Sequence, residues 1–288
     1  MATVIDDMTV TPLSDALGAE ITGIDVRALD QAAFARFRDV FHDNLMLAVR
    51  GQHLTPAEQT DFARRFGDIQ YHISPEYLMQ DQPEVMILSN EKIDGAYVGI
   101  PDAGSDWHSD HSYIDRPTAY TILQSVHVPK VGGDTEWTNM VRAYETLDAE
   151  TRARLDGLVG IHSFNRLRNR RVHAPTRHAD PEEYYKRSPP DAFHPLVRTH
   201  PFTARKALFI SPRFTIAIRG MDDADAQPLL DRLFAHIDNR DLVYRHRWRD
   251  GDLVMWDNRA TVHLACGGVR EPEIRRLHRT TVRGEIPF

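Results

Sequence analysis

Two histidines and two aspartates fall within six positions of one short stretch, DWHSDHSY, Asp106 to Tyr113. In an extended strand successive side chains point to opposite faces. The spacing therefore predicts His108 and Asp110 on one face, able to converge on one ion, with Ser109 and His111 on the other. Neutral imidazole and carboxylate together suit a first-row metal, and a third ligand has to come from elsewhere. Of the fifteen histidines, the strongest candidate is His263, which follows the DLVMWDN strand and turn within WDNRATVHLA. Two imidazoles and one carboxylate would hold one face of a metal and leave neighbouring positions open for a co-substrate and dioxygen. H-x-D alone is common by chance. A structural zinc is the rival reading, but the sequence offers no set of thiolates and no H-E-x-x-H.

Converging ligands from distant parts of a chain need strands to hold them, and the remaining sequence supplies many short ones. LGAEITGIDV, Leu17 to Val26, alternates between turn-forming glycines and predicts a strand. From Asp30, a candidate N-cap, Phe34, Phe37 and Phe41 recur at helical spacing as a core-facing stripe, and Leu45 to Val49 is short enough for a buried strand. Thr55-Pro56-Ala57-Glu58 supplies an N-cap, a proline at the first helical position and a capping-box glutamate for a helix that Gly67 closes. Val85 to Leu88, Tyr120 to Val128 and Lys206 to Ile210 are strand-like, and Asn139 to Leu158 and Asp222 to Ile237 are helical. Leu242 to Trp248 and Leu253 to Trp256 flank Asp250-Gly251-Asp252 and predict a hairpin. No strand-helix-strand repeat, G-x-G-x-x-G or P-loop is present. The expected fold is mainly β with flanking helices, an antiparallel sandwich or jelly roll, in one domain spanning residues 1–288. The Arg- and Pro-rich segment at about 164–190, with Arg166, Arg168, Arg170 and Arg171, is expected to be a mobile loop.

Composition narrows the partners. A chain of 288 residues with 41% hydrophobic and 27% charged residues is that of a folded globule rather than a disordered or fibrous protein. The formal net charge of −7 argues against a nucleic-acid binder, because affinity for phosphate backbone comes from clustered Lys and Arg. Cys266 is the only cysteine, which excludes a disulfide framework and a cysteine-rich zinc site. The first residues lack a basic segment followed by an apolar one, and no run is long enough for a membrane span; a cytoplasmic protein is expected.

W-H-S-D, then GGDTEWTNM (Gly132 to Met140), then DLVMWDNRATVH, then RRLHRTT (Arg275 to Thr281), together resemble the taurine/2,4-dichlorophenoxyacetate dioxygenase (TauD/TfdA) family of iron(II)- and 2-oxoglutarate-dependent oxygenases. LGAEITGIDV and RRFGDIQYH resemble family stretches as well, so the likeness covers most of the chain, with the motifs in family order.

The resemblance implies a double-stranded β-helix, a form of jelly roll, and iron held by His108, Asp110 and His263. It implies that Thr135 hydrogen-bonds the distal carboxylate of 2-oxoglutarate and that Arg275 pairs with it. A guanidinium suits that task, since it offers a planar two-donor fork and stays protonated. Arg279 matches the family arginine that receives the anionic group of the primary substrate, and His72 a histidine contacting the same anion. Alternation along a strand puts Arg275, Leu277 and Arg279 on one face. His111 is placed at the border of the substrate pocket, and Asp106 in a turn.

The implied activity uses Fe(II), 2-oxoglutarate and O2, releases succinate and CO2, and hydroxylates a small anionic organic acid such as an aryloxyalkanoate or sulfonate. C–O or C–S cleavage follows where the hydroxylated carbon bears a heteroatom leaving group. A homo-oligomer is implied by the same likeness. Two alternatives stand beside it: a non-catalytic cupin-like binder of metal and small acids, and a hydroxylase of an amino-acid-derived metabolite. Taurine itself fits poorly, because Gly104 stands where the family places an asparagine for the taurine amine, and Pro75 where it places a tyrosine.

Overall fold

A computed structural model of the chain describes residues 2–5, 7–101, 104–165, 186 and 188–288. The Arg-rich stretch from Arg166 to Arg171, and most of the loop expected at 164–190, lie outside the described residues.

The frame is an eight-stranded sheet ordered β1-β2-β3-β4-β16-β8-β18-β5. It is built from β1 (Thr3–Ile5), β2 (Met8–Pro12), β3 (Ala19–Thr22), β4 (Met46–Val49), β5 (Met86–Ser89), β8 (Thr118–His127), β16 (Leu253–Asp257) and β18 (Arg276–Arg283). All neighbours in it are antiparallel except β3 and β4. A second sheet, ordered β15-β9-β17, consists of β9 (Thr135–Asn139), β15 (Val243–His246) and β17 (Thr261–Ala265). Smaller pairings complete the fold: β6 (Lys92–Ile93) with β7 (Ala96–Tyr97), β10 (Val159–His162) between β11 (Ala192–Pro195) and β14 (Thr215–Ile218), and β12 (Val197–Thr199) with β13 (Lys206–Leu208).

Side-chain alternation divides the long strands between two cores. Leu123, Val254, Trp256 and Leu277 point one way and pack with Trp137 of β9. Tyr120, Ile122, Leu253, Met255 and Val282 point the other way, onto the phenylalanines of α1 (Gln31–Asn44) and α2 (Pro56–Arg64). A third core joins α3 (Met140–Glu145) and α5 (Asp223–Ile237) to β13 and β17, with α4 (Ala149–Leu155) supplying Leu155. The result is the jelly roll with external helices that the sequence predicts.

The helix starts are where their caps place them. Asp30 accepts from Ala33 N at 2.8 Å. Thr55 and Glu58 form the full capping box, a feature that stabilises a helix by about 1 kcal/mol. Three elements differ from expectation. Strand β3 ends at Thr22, because Gly23 turns at φ +87° with Asp7 O directly over it. The expected helix over Asn139 to Leu158 is two helices, since Asp148 takes the Thr151 N–H at 2.7 Å and starts a new one. The expected hairpin is absent: β15 pairs with β9, whereas β16 pairs with β4 and β8. Asp252 makes that turn a crossing between sheets. It accepts from Arg249 N at 2.8 Å and pairs with His246 Nε2 at 3.0 Å and Arg50 Nη1 at 2.6 Å. No helix among the described residues is long and apolar enough to cross a membrane.

Candidate active site

His108, Asp110 and His263 converge. All three are buried, and one ligand atom from each lies within 4.8 Å of the others. His263 sits on β17, and His108 makes a single antiparallel bridge to it, His108 N to His263 O at 3.0 Å and His263 N to His108 O at 2.8 Å. Strand alternation is therefore not what brings Asp110 round. Past His108 the chain leaves the ladder, Asp110 lies in a turn, and His111 takes φ +53°.

The ring orientations suit a cation. His108 Nδ1 donates to Asp106 O at 2.8 Å, which leaves the Nε2 lone pair facing the site, 3.9 Å from Asp110 Oδ1. His263 Nε2 is 4.0 Å from Asp110 Oδ2. Burial pushes His263 down to about 4 and His108 well below the ordinary imidazole range, so both rings are neutral and able to ligate. Burial alone would raise Asp110, but the Arg279 guanidinium beside it outweighs that and holds the carboxyl below its usual range. Two neutral imidazoles and one carboxylate, buried and converging, fit an iron(II) ion in chemistry and number.

Asp110 is itself held. Thr121 Oγ1 donates to its Oδ2 at 2.6 Å, and its backbone N–H donates to Asn258 Oδ1 at 3.1 Å. Arg279 Nη1 lies 3.3 Å from Oδ1. On the outer side of the site the His108 ring meets Phe214, at 6.1 Å between centroids. Phe214 belongs to a small buried aromatic cluster with Tyr113 and Phe164.

Arg275 and Thr135 come together as the resemblance implies. Arg275 lies one residue before β18; its Nε donates to Gly133 O at 2.9 Å, and Nη2 lies 3.4 Å from Thr135 Oγ1. Thr135 Oγ1 also accepts from Trp248 Nε1 at 3.1 Å. With N–H donors already on that oxygen, its own proton is left to donate outward. Among the described residues no carboxylate is within ion-pair distance of Arg275, and burial lowers its guanidinium to about 10. A cavity of about 400 Å³, lined among others by Asn90, Gly133, Gly267 and Arg275, opens beside it. A half-buried cation with no carboxylate of the described residues in ion-pair contact is suited to receive an anion.

The alternation expected for Arg275, Leu277 and Arg279 holds, with Leu277 between the sheets and both arginines on its side. His111 is buried with Nδ1 2.7 Å from Thr118 Oγ1 and Nε2 without a hydrogen-bond partner among the described residues; burial and Arg279 push it to about 4. The His72 ring lies 5.4 Å from that of His111. Because His72 Nδ1 accepts Ser74 N–H at 3.1 Å, its Nε2 carries the proton of the neutral ring and is a donor. Gly104, at φ +82°, backs the His108 ring so closely that a Cβ there would lie 2.6 Å from Cε1.

Trp107 and Trp256 are packing residues. Trp107 donates to Asp238 at 3.0 Å, and Trp256 lies 4.6 Å from the His263 ring. Three neighbours of the site escaped the sequence reading: Thr121, Asn258 and Arg213. Arg213 is a buried cation that helps keep both metal-side imidazoles neutral.

Residues 9–281 match the model of the family described as taurine catabolism dioxygenase TauD, TfdA family. The (S)-phenoxypropionate/alpha-ketoglutarate-dioxygenase of Sphingobium herbicidovorans is 32% identical over 267 residues, 89% of this chain and 88% of that protein. The alpha-ketoglutarate-dependent 2,4-dichlorophenoxyacetate dioxygenase of Cupriavidus pinatubonensis is 34% identical over 268 residues, 89% and 91% of the two chains. The alpha-ketoglutarate-dependent sulfate ester dioxygenase of Pseudomonas putida is 30% identical over 286 residues, 98% of this chain and 91% of that protein. Among solved structures, a taurine dioxygenase from Burkholderia xenovorans superposes with a TM-score of 0.80 at 32% identity, covering 98% of this chain and 92% of its own. AAD-2 in complex with Mn(II) and N-oxalylglycine does so with 0.78 at 27% identity, covering 97% and 98%.

Proposed function

The chain belongs to the TauD/TfdA family, and from that premise we propose that it hydroxylates a small organic acid with a carboxylate, sulfonate or sulfate head and an apolar body. It is an oxidoreductase, a dioxygenase dependent on Fe(II), 2-oxoglutarate and O2. His108, Asp110 and His263 are the proposed iron ligands, and the bound iron supplies the activation of dioxygen that oxidative decarboxylation of 2-oxoglutarate requires.

The observation that carries the co-substrate assignment is the spacing of Arg275 and Thr135 from the ligands. Thr135 pairs with Ala265, two residues along β17 from His263, which is about 7 Å at the rise of a strand. That span suits a five-carbon diacid whose keto-acid end ligates the metal while its far carboxylate meets the Arg275 fork and the Thr135 hydroxyl. Neutral imidazoles, a carboxylate held ionised and an arginine with no carboxylate of the described residues within ion-pair distance are all set before any ligand arrives. Such preorganisation lowers the cost of binding.

For the primary substrate, Arg279 and the Nε2–H of His72 would offer donors to an anionic head, with the His111 ring 5.4 Å from that of His72. The aromatic cluster of Phe214, Tyr113 and Phe164 flanks the His108 and His111 rings, where it would keep water from the reacting carbon. An aryloxyalkanoate fits that combination better than taurine, whose amine would find Gly104 with no side chain to meet it. A sulfate ester is the second reading, favoured by the likeness to the sulfate ester enzyme.

The test is succinate release with Fe(II) and 2-oxoglutarate across aryloxyacetates, aryloxypropionates, alkyl sulfonates, sulfate esters and amino acids. Aryloxyalkanoates are expected to stimulate it most, with a phenol released from those that cleave. Stimulation by amino acids alone would overturn the substrate class. Asp110→Ala is expected to abolish succinate formation; normal turnover in that variant would sink the ligand assignment.

A further inference from the structure

Asp110 is the one proposed ligand that no strand holds in place. His108 and His263 are fixed to each other by their reciprocal backbone bridge, but the turn that carries Asp110 has no ladder. A carboxylate on a turn needs some other restraint if its oxygens are to be presented in one arrangement.

We infer that Asn258, acting through Thr121, is the positioning residue that presents Asp110 to the metal as a one-oxygen ligand. This inference rests on the metal-centre reading above. Asn258 is almost wholly buried, in the turn between β16 and β17. Its Oδ1 accepts both the Asp110 N–H and the Trp256 indole N–H, each at 3.1 Å. Two donors on that atom fix the orientation of the amide, because the flipped form would set NH2 against two N–H groups. Nδ2 therefore points at Thr121 and donates to its Oγ1 at 2.9 Å. A hydroxyl has a single proton. Having accepted from Asn258, Thr121 directs its own proton to Asp110 Oδ2 at 2.6 Å, a charge-assisted bond.

The backbone of the same asparagine extends the grip, since Asn258 O accepts from Ser109 Oγ at 2.9 Å and Asn258 N donates to Ala119 O at 2.8 Å. One side chain thus holds Asp110 at its backbone directly and at its carboxylate through Thr121. Oδ2, 4.0 Å from His263 Nε2, carries the short 2.6 Å bond from Thr121, whereas Oδ1, 3.9 Å from His108 Nε2, carries only the longer 3.3 Å contact with Arg279 and is the oxygen freer to ligate. Single-oxygen ligation leaves a coordination position that a two-oxygen carboxylate would fill, which a reaction needing both a co-substrate and dioxygen requires. Neither residue touches the ion; both act on the ligand, where such partners shift metal affinity by about 10- to 100-fold.

The test measures Mn(II) binding to the intact chain, with free Mn(II) followed by electron paramagnetic resonance, for wild type, Asn258→Ala, Thr121→Val, Thr121→Ser and Asp110→Ala. Asn258→Ala and Thr121→Val are each expected to weaken Mn(II) by about 10- to 100-fold. Thr121→Ser, which keeps the hydroxyl and loses only a methyl group, should stay within about threefold of wild type. Wild-type affinity in Thr121→Val overturns the inference, and so does a Thr121→Ser loss as large as that of Thr121→Val, since packing would then be the cause. The Thr121 pair decides the matter even if Asn258→Ala does not fold. Wild type that binds no Mn(II), or Asp110→Ala that binds it undiminished, overturns the metal-centre reading instead, so the two failures are told apart.

Discussion

Arg275 is where a single residue makes the co-substrate assignment measurable. Its half-buried guanidinium is held against Gly133 O and Thr135 Oγ1, with no carboxylate of the described residues within ion-pair distance. Removing one partner of a buried, hydrogen-bonded charge pair costs about 2–5 kcal/mol. Arg275→Ala should accordingly raise the concentration of 2-oxoglutarate required by about 30-fold or more, while Arg275→Lys, a point charge without the fork, recovers part of it. Succinate formation against 2-oxoglutarate concentration is the measurement. If only the primary substrate's KM moves, the roles of Arg275 and Arg279 are exchanged. The ligand set and this arginine were readable through the family resemblance, whose ordered motifs turn an H-x-D that is common by chance, and an arginine on a charged strand, into parts of one site. Thr121 and Asn258 were not, since a threonine in a strand and an asparagine in a turn are ordinary residues until their partners are known. Asn258 stands inside the WDNRATVH stretch that pointed to His263, and that adjacency was the one available signal.

Elements place these residues through close backbone approaches, and Gly133 is the clearest case. It sits at φ +74°, and a Cβ there would lie 2.8 Å from Arg275 Cδ and 3.1 Å from Nε. Gly133→Ala should therefore push the arginine off Thr135 and raise the 2-oxoglutarate requirement, with Mn(II) affinity within about twofold of wild type because the ligands lie on other segments. Equal losses of both would show instead that the whole second sheet has shifted, and would count against this local account. Element identity was largely readable from local chemistry: Asp30, the Thr55–Glu58 box and Asp222 mark three helix starts. Pairing was not. Leu253 to Trp256 looks like half of a hairpin, yet its partners are β4 and β8, and the Arg50–Asp252 bond spans 202 residues of sequence. A pattern that covers ten residues contains no information on that scale. The H-x-D reading shows the same limit from the other side. The pair that converges was read with the wrong local structure: Asp110 lies in a turn whose N–H is held by the distant Asn258, not on a strand.

At the scale of the whole molecule, the feature with the broadest consequence is the number of histidines folded into the interior. Away from the site, burial pushes His42, His194 and His278 down to about 4, and lowers His162 and His246 as well. In the unfolded chain each returns to about 6.5. Their folded values lie below their unfolded ones, so between these limits the unfolded state binds more protons, and stability rises with pH. It should be fully present above about pH 6.5 and fall as the pH drops towards 4, by up to about 1.4 kcal/mol per pH unit for each such histidine. The depressed carboxyls of Asp110 and Asp257 act lower still, as the pH falls below the ordinary carboxylate range. His278 allows the test to be made on one residue. It faces the α2 side of β18, and neither ring nitrogen has a hydrogen-bond partner among the described residues, so His278→Leu removes a titrating group without breaking a side-chain hydrogen bond. Thermal unfolding of the metal-free protein between pH 7.5 and 4.5 should show a steady fall in Tm for wild type and a shallower one for His278→Leu, the two curves separating below about pH 6. Parallel curves would mean that His278 takes up no extra proton on unfolding, and a flat wild-type profile would rule out buried histidines as the source of acid sensitivity.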